Sequence, residues 1–565
     1  MDPTSAPPSP ETDSPPERML QPTCISLPDV HRDPLCGFLN LSGEMMMGVL
    51  HLLDHRNLIQ CALVSRLLNL LAVQAVLDQH SIWKPQKICT VKISSYLRQP
   101  FDVLSALLMS VHIDEFAYLA IDVTGLLAYA NLMVPLERIQ RLITRIKTVD
   151  DVLFTFVTSS ATQSRPETVS EKELRRIWQS LETLLSTFLS KSCSKIQFSG
   201  LYTCPWTHQF IFKRGLKNPG NPSTWRQLKG YLKSSKDVSD ASKSKPKPTE
   251  EDLRYVRSTR MGKMFHIYPS PSEVLDGSKL VRFDSASCHI FRPPFAAWTF
   301  AALQASQIEH FTVGFKDLPS DVEESQYILN KLAAVLPEVI LLTIYSVANS
   351  TQALDILAWT NSFLKLGTLS LPLTFPTDID GDKINISLPE LWRLECSPDL
   401  LGVLFAEEGR VDLPKLNSVA ITHYGLSLQV LAECIPKARE MINRRTPDGS
   451  SCFLFVALRL AAWQLLKIPT ELREGKRPTL KSIDISKGFE GVSPLEVSLP
   501  GTREDVRLGI YDNDIMAILT LFPDVESLIL SSTEWYLKRP PMKLDRLQMK
   551  RFRKRSPKLT SLVAY

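Results

Sequence analysis

The residue types that could carry chemistry are scattered along this chain. Its 565 residues include ten histidines and ten cysteines, and no Cys-x-x-Cys pair occurs. A zinc site needs thiolates or imidazoles on short spacings, and the nearest approach to one is Cys193, Cys204 and His208. We expect the cysteines to behave as small apolar residues that stay reduced, and we predict neither a metal site nor a cofactor.

Catalytic sequence patterns are equally scarce. The chain contains no nucleophile elbow, P-loop, His-Glu-x-x-His motif or kinase signature. The acidic segment 378–382 departs from a calcium-binding loop, because its glycine comes too early and no glutamate stands at the final ligand position. It predicts a polar turn, and segment 204–208 (CPWTH) predicts a packed aromatic loop. We therefore predict a protein that is not an enzyme, and an enzyme with an unfamiliar site is the weakest alternative.

Composition excludes several other classes of protein. With 44% hydrophobic and 22% charged residues, the chain has the profile of a globular protein rather than of a disordered chain, a collagen-like fibre or a disulfide-dense secreted module. No run of uncharged apolar residues is long enough to span a bilayer, and the N-terminus lacks the basic start and apolar stretch of a secretory signal. We expect an intracellular protein of the cytoplasm or nucleus, with no membrane partner.

The charge pattern gives little support for nucleic-acid binding. The net charge of +5 is small for a chain of this length. The most basic stretch, 538–558, lacks the interleaved aromatic residues that single-strand binding requires. We interpret this stretch as the solvated outer face of a helix; the alternatives are a nuclear-import signal or a surface for acidic partners.

Shifts in composition divide the chain into segments. Residues 1–34 are rich in proline and serine and have few apolar groups to bury, so they predict a disordered tail. Residues 233–251 (KSSKDVSDASKSKPKPTEE) predict a disordered internal loop. Between them, residues 39–83 predict a small helical domain, and residues 85–565 carry the remaining folded material.

The segment 39–83 predicts three short helices. Helical spacing relates the apolar residues Met45, Val49, Leu50 and Leu53, and Asp54 is placed to cap the second helix. The third stretch, 67–77, is apolar around almost its whole circumference, whereas a surface helix would show a polar face. Three short helices cannot cover that surface themselves, so we expect the rest of the chain or another protein to bury it.

The segment resembles an F-box. The residues in register with the family pattern are Leu41, Glu44, Met45, Val49, Leu50, Leu53, Asp54, Leu58, Ala62, Leu63, Val64, Arg66, Leu71, Ala72, Ile82 and Trp83. Three positions depart from the pattern, with Ser42 in place of the usual proline, Ser65 in place of cysteine and Leu68 in place of tryptophan.

The resemblance implies a partner and a set of contact residues. In that family the F-box binds the Skp-type adaptor of a cullin–RING ubiquitin ligase, and a helix-in-groove interface of this kind rests on a few buried apolar anchors. The residues that the resemblance assigns to adaptor binding, divided between the helical core and the adaptor groove, are Leu41, Ser42, Met45, Val49, Leu50, Leu53, Leu58, Val64, Leu68 and Trp83.

A strand-like phrase recurs in the second half of the chain. The pattern Pro-x-(Leu/Val)-x-x-(Leu/Val/Ile)-x-(Leu/Ile) begins at Pro337, Pro414, Pro478 and Pro523, with looser copies at Pro389 and Pro557. Alternate burial is typical of a short strand, and the leading proline ends the helix before it. The copy at Pro398 nearly fits but has a helical pattern. Further strands are predicted within 149–156, 195–198 and 308–313, whereas 210–212 is too short to assign.

Repeated helix–strand units predict a solenoid of the leucine-rich-repeat type. The spacings between copies, 52, 25, 64, 45 and 34 residues, are irregular, so either the repeats are degenerate with insertions or some copies escape the pattern. The predicted fold class is α/β, with an N-terminal three-helix F-box followed by an irregular leucine-rich-repeat-like α/β solenoid. An F-box followed by degenerate repeats resembles the divergent fungal F-box proteins.

Two functions are compatible with this organisation. The first is a substrate-recognition adaptor of an SCF-type cullin–RING ubiquitin ligase, whose repeats hold an unidentified protein substrate near a ubiquitin-conjugating enzyme and so raise its effective concentration. The second is a leucine-rich-repeat scaffold with no link to a ligase, in which the N-terminal helices cap the solenoid. Exposure of the apolar face of residues 41–68 favours the first function, and burial favours the second.

Overall fold

The computed structural model is of mixed α/β architecture and divides into two compact units, residues 1–76 and 77–565. The predicted disordered segments 1–34 and 233–251 and the strand copy at Pro478 lie outside the described residues. The structure describes residues 41–94, 103–124, 132–157, 171–201, 210–212, 255–258, 264–265, 278–371, 376, 379–404, 411–424, 428–445, 453–460, 468, 470–476, 492–500, 503–532 and 546–564.

Each of the first three helices begins at a side chain that caps it. In α1 (Gly43–Leu50), Ser42 Oγ accepts a hydrogen bond from the Met45 amide at 3.3 Å. In α2 (His55–Val64), Asp54 Oδ1 accepts from the Asn57 amide at 2.8 Å, which confirms the predicted cap. In α3 (Arg66–Gln79), Ser65 Oγ accepts from the Leu68 amide at 3.2 Å. Two of the three departures from the F-box pattern, Ser42 and Ser65, thus satisfy amide groups that a helix start leaves unpaired.

The first unit has a small apolar core. A polar contact joins two of its helices, because the buried Asn69 donates a hydrogen bond through Nδ2 to the Ala62 carbonyl at 3.0 Å. The buried apolar side chains of the unit are Met46, Leu50, Leu58, Ala62, Leu68, Ala72, Val73, Ala75 and Val76. The third helix is therefore largely buried along 68–76, as its apolar circumference predicts.

The second unit is built on one long parallel sheet of fourteen strands among the described residues. Its strand order follows the order of the chain, and β1 and β19 are its two edges. The strands are β1 (Cys89–Ser94), β2 (Glu115–Thr124), β3 (Thr148–Val157), β4 (Lys195–Ser199), β8 (Arg282–Ser285), β9 (His310–Phe315), β10 (Leu341–Val347), β11 (Thr368–Leu371), β13 (Arg393–Cys396), β15 (Ser418–Tyr424), β16 (Phe453–Arg459), β17 (Val492–Leu499), β18 (Ser527–Ser532) and β19 (Ser561–Ala564).

Two smaller sheets accompany the long one. Strands β5 (Phe210–Phe212), β6 (Tyr255–Ser258) and β7 (Met264–Phe265) form an antiparallel sheet, and β12 (Ile386–Ser387) pairs with β14 (Val411–Asp412). The strands predicted within 149–156, 195–198 and 308–313 are confirmed as β3, β4 and β9.

Helices that follow one another along the chain pack against each other. Contacts join α4 to α5, α5 to α6, α7 to α8, α8 to α9, α10 to α11, α12 to α14 and α14 to α15. These helices are α4 (Val103–Met109), α5 (Met133–Arg145), α6 (Glu171–Ser190), α7 (Ala296–Gln304), α8 (Val322–Val335), α9 (Ser350–Thr360), α10 (Pro398–Leu404), α11 (Leu428–Arg445), α12 (Thr470–Arg473), α13 (Arg503–Arg507), α14 (Asp512–Leu521) and α15 (Arg546–Arg555). The helical pattern at Pro398 is confirmed as α10.

One hydrogen-bond arrangement recurs where the strands begin. The carbonyl group just before one strand accepts from two successive amide groups at the start of the next; the Ile340 carbonyl, for example, accepts from Gly367 at 2.8 Å and Thr368 at 2.9 Å. Six consecutive steps between β4 and β15 use the carbonyl groups of Ser194, Val281, Glu309, Ile340, Gly367 and Trp392. The chain therefore enters successive strands with the same local geometry.

An apolar pattern also recurs, with or without a leading proline. In the unit that starts at Pro337, Val339, Leu342 and Ile344 are almost completely buried. The same positions are occupied before and within β11 by Leu366, Leu369 and Leu371, where no proline is present. Successive strands from β8 to β15 in the long sheet start 25–31 residues apart. Their first residues are 282, 310, 341, 368, 393 and 418. Much of the irregular spacing in the sequence pattern thus came from copies that lack the proline.

Candidate functional site

Helix α1 presents an apolar stripe to solvent. Met45, Val49 and Leu52 are 58%, 40% and 86% exposed. They are four and three residues apart, so they lie on one face of the helix and the turn that follows it. The opposite side of α1 is occupied by the buried Met46 and Leu50.

Helix α2 ends in a second exposed apolar pair. Leu63 and Val64 are 74% and 72% exposed. Leu58 and Ala62 point into the core of the same unit and are almost completely buried. We call the five exposed side chains Met45, Val49, Leu52, Leu63 and Val64 the helical apolar surface.

The structure separates the predicted adaptor-binding residues into three groups. The exposed group consists of Ser42, Met45, Val49, Val64 and, in the second unit, Trp83, which is 74% exposed. Leu41 and Leu53 are half-buried, whereas Leu50, Leu58 and Leu68 are buried. The last three side chains therefore support the helices, while the exposed ones are accessible to a partner.

Two prominent members of the helical apolar surface were not among the predicted contact residues. Leu63 is in register with the F-box pattern but was not assigned a contact, and Leu52 lies outside that pattern. The available signal for Leu52 was its helical spacing from Met45 and Val49. Charged residues flank the surface, since Glu44 and Arg56 are exposed on the same helices. Exposed apolar side chains with polar neighbours are typical of a protein-binding surface rather than of a catalytic site.

Five of the six cysteines that the structure describes are buried. Cys193, a member of the Cys–His group that comes nearest to a zinc-binding spacing in the sequence, donates through Sγ to the Lys195 carbonyl at 3.2 Å, and burial raises its pKa to about 12. Burial also raises the pKa values of Cys89 and Cys434 to about 12. These groups stay as neutral thiols near neutral pH, and the thiolate is the reactive form. Cys204 and His208 lie outside the described residues.

The acidic segment 378–382 forms a polar turn where the structure describes it. Asp380 caps a short 3-10 helix, Gly381–Lys383, by accepting from the Asp382 amide at 3.1 Å, and it pairs with Lys383 at 3.1 Å. Asp378 lies outside the described residues. Throughout the described ranges, no three His, Cys, Asp or Glu side chains gather in a group suited to a metal ion.

A buried ionic cluster lies between β4 and β8. Asp284 is 4% exposed and accepts from Gln197 at 2.7 Å and from Arg282 Nε at 3.1 Å, while Lys195 Nζ lies 3.5 Å away. Burial lowers the pKa of Lys195. The Asp284 carboxylate is already satisfied by its neighbours, so the cluster fits a role in joining two strands.

A second buried pair connects the antiparallel sheet to helix α8. Arg292 Nε lies 2.8 Å from Glu324 Oε1, and an Arg292 amino group donates to the Phe210 carbonyl of β5 at 3.2 Å. Burial raises the pKa of Glu324, against the opposing charge of Arg292, and burial also raises the pKa of Tyr255 in β6. The ring of Tyr255 contacts that of Phe212 at 5.3 Å. This pair and its aromatic neighbours hold the inserted strands in place.

Among these features, the helical apolar surface is the one that is open to a partner. None of the described helices has the length and apolar character needed to cross a bilayer. In comparisons with known proteins, no family model matches the chain, and no curated protein matches it significantly.

Proposed function

We propose that this chain is a substrate-recognition subunit of an SCF-type cullin–RING ubiquitin ligase. Residues 39–83 act as an F-box that binds the Skp-type adaptor, and the long parallel sheet with its helices acts as a leucine-rich-repeat-like solenoid that holds a target protein. The chain performs no ubiquitin chemistry itself. It raises the effective concentration of the target beside a ubiquitin-conjugating enzyme, as a linked binding site does.

The observation that carries this proposal is the exposure of the helical apolar surface. A small unit whose sequence resembles an F-box keeps Leu52 and Leu63 at 86% and 74% exposure, although residues such as Leu50 and Leu58 of the same helices are packed in a core. Exposed leucines on short helices are suited to insertion into the groove of a partner.

The repeat interpretation is supported by the second unit on its own. The strands of its long sheet are all parallel and follow chain order, six consecutive strand entries share one hydrogen-bond arrangement, and six consecutive starts lie 25–31 residues apart. In a repeat protein each unit buries its apolar face against its neighbours, and the extended surface that results is suited to binding another protein.

The test is co-purification of the full chain with a Skp-type adaptor. We expect the wild-type chain to retain the adaptor and the double variant Leu52→Asp plus Leu63→Asp to bind at least about tenfold more weakly, because two interface anchors become charged. Neither side chain is needed for the core. A substitution at the buried Leu58 would be a poor test, since it would disturb folding as well.

A matched control places the same change on exposed apolar residues of the second unit. Val322 and Leu364 are 56% and 68% exposed, and Val322→Asp plus Leu364→Asp should retain the adaptor. Circular dichroism of all three proteins checks that they fold alike. Absence of adaptor binding by the wild-type chain would remove the ligase assignment and favour the scaffold; unchanged binding by the Leu52 and Leu63 variant would show that the helical apolar surface is not the interface.

A further inference from the structure

A second exposed apolar cluster lies near the C-terminus, far along the chain from the F-box-like helices. Leu508, Ile510 and Leu547 are 66%, 58% and 68% exposed. The first two belong to the turn between α13 and α14, and the third lies in the first turn of α15. We call these three side chains the C-terminal patch.

Hydrogen bonds hold the two parts of the C-terminal patch together. Gln548, next to Leu547, donates through Nε2 to the Val506 carbonyl at 3.3 Å and to Asp512 Oδ1 at 3.0 Å, so it reaches both sides of the turn. Arg551 reaches the other oxygen of Asp512 at 3.4 Å. The turn itself is tightly packed, because Gly509 has a φ of +73° and a Cβ there would lie 3.0 Å from Asp512 Oδ2.

The surroundings of the patch are strongly cationic. Helix α15 (RLQMKRFRKR) carries six basic residues and no acidic one. Arg546, Lys550 and Lys554 are exposed and recur every four residues, so they form a line along one face of the helix. Arg507 is exposed beside Leu508.

Three carboxylates near the patch have side chains that the structure describes, and none of them is fully exposed. Asp512 is 5% exposed and already bonded to Gln548 and Arg551. Asp514 is paired with Arg473 at 3.2 Å. Asp505 is half-buried on the helix that precedes the turn. Among the side chains that the structure describes around the patch, the exposed charged groups are thus mainly cationic.

We propose that the C-terminal patch binds an acidic segment of a partner protein that carries apolar side chains at helical spacing. The line of cations complements carboxylates, and the three exposed aliphatic side chains complement the apolar residues between them. A nucleic acid would leave the aliphatic side chains without a partner, and a bilayer surface would require a larger apolar face. The inference does not depend on the proposed ligase function.

The test measures binding of synthetic peptides to the full chain by fluorescence anisotropy. The probe is a labelled peptide whose leucines recur at helical spacing and whose positions between them carry glutamates. One comparison peptide replaces all leucines by serine, and the other replaces all glutamates by lysine. We expect binding of the first peptide, weaker binding of the serine peptide, no binding of the lysine peptide, and affinity that falls as salt is raised.

Two variants separate the electrostatic part from the apolar part. The electrostatic variant carries Lys550→Glu and Lys554→Glu, and the apolar variant carries Leu508→Ser and Leu547→Ser. Each variant should weaken binding of the first peptide about tenfold. All four side chains are exposed, so neither variant removes a core contact. The control Lys316→Glu plus Leu364→Ser changes an exposed cation and an exposed leucine elsewhere and should bind as wild type does.

Several outcomes would overturn the inference. Failure of the first peptide to bind, or equal binding of the serine peptide, would remove the role of the C-terminal patch. Binding to phosphatidylserine vesicles or to RNA without binding to the peptide would assign the surface to a different class of partner. A tenfold loss in the control variant would show that the effect is not specific to the patch.

Discussion

The strands of the second unit and the first two helices of the first unit differ in how completely their apolar side chains are buried. In the second unit, the apolar residues at the recurring pattern positions before and within the strands are almost completely buried, as Leu391, Leu394 and Phe283 show. In the first unit, α1 and α2 leave Leu52 and Leu63 mostly exposed. Both units have apolar-rich sequences, so composition alone does not decide which residues are covered.

The difference in burial follows from the number of adjacent elements that can cover the apolar side chains in each unit. Between the two edge strands, each strand of the long sheet has another strand on each side, and neighbouring helices pack together, so the apolar positions of these strands are covered by the adjacent repeats. A three-helix unit of about 35 described residues encloses a core of only a few side chains and cannot cover all the others. Exposed apolar residues in the first unit are therefore a surplus that a partner can use.

Truncating a fully buried side chain should have the largest effect on the free energy of unfolding. Phe283 is 0% exposed, and its ring centroid lies 5.7 Å from that of Phe198 and 6.1 Å from that of Phe311. We expect Phe283→Ala to reduce the free energy of unfolding by about 3–5 kcal/mol, because it removes buried area and leaves a cavity. Equilibrium urea unfolding, followed by tryptophan fluorescence, measures the loss.

The matched change in the first unit is Leu52→Ala. Since Leu52 is 86% exposed, we expect a change within about 0.5 kcal/mol in the same measurement. A loss similar to that of Phe283→Ala would mean that the face of α1 is covered in solution, and the contrast between the two units would disappear.

A pH experiment tests how completely the second unit excludes water around a charged group. Glu324 is 4% exposed, and burial raises its pKa above the ordinary value of 4.5. The folded state thus holds the proton more tightly than the unfolded state. The stabilising contribution is fully present below pH 4.5 and is lost as the pH rises through the folded-state pKa.

We therefore expect the stability of the wild-type chain, relative to Glu324→Gln, to increase as the pH falls from neutral to below 4.5. Glutamine cannot titrate, so the variant serves as the reference at each pH. Urea unfolding of both proteins at several pH values gives the difference. A difference that does not change with pH, or that changes in the opposite direction, would show that the ion pair with Arg292 outweighs burial.

The sequence was informative where local physical chemistry decides the structure. The cap at Asp54, the strand after Pro337 and the helix at Pro398 follow from side-chain and backbone preferences alone. The proline-led pattern does not match the strands that start at His310 and Thr368, because no proline precedes them at the required position. The fold requires the apolar positions of the pattern, and the proline is optional.

The candidate site was predictable only in part. Helical spacing identifies which residues share a face, but in helices that are apolar on several sides it does not say which face is inside. The buried Leu58 and the exposed Leu63 therefore looked alike in the sequence. The buried pair of Arg292 and Glu324 joins residues 32 positions apart and depends on how an inserted sheet packs, which no local pattern reveals.

The smallest expected effect concerns exposed ion pairs between repeats. Lys415 Nζ lies 2.6 Å from Glu390 Oε2, and each residue stands three positions before a strand. Asp524 and Lys558 hold the same positions before β18 and β19, at 2.9 Å. Because the side chains of Lys415 and Glu390 are 59% and 49% exposed, we expect Lys415→Glu to cost less than about 1 kcal/mol in urea unfolding and the cost to shrink at high salt.

The charge-swapped variant Glu390→Lys plus Lys415→Glu restores the opposite charges and should recover the wild-type value. A loss from Lys415→Glu close to that of Phe283→Ala would mean that charge at the strand entries, rather than burial, sets the register between repeats. A small, salt-sensitive loss would leave the buried apolar positions as the main determinant of register, because a shift of one residue would move them to the opposite face of the sheet.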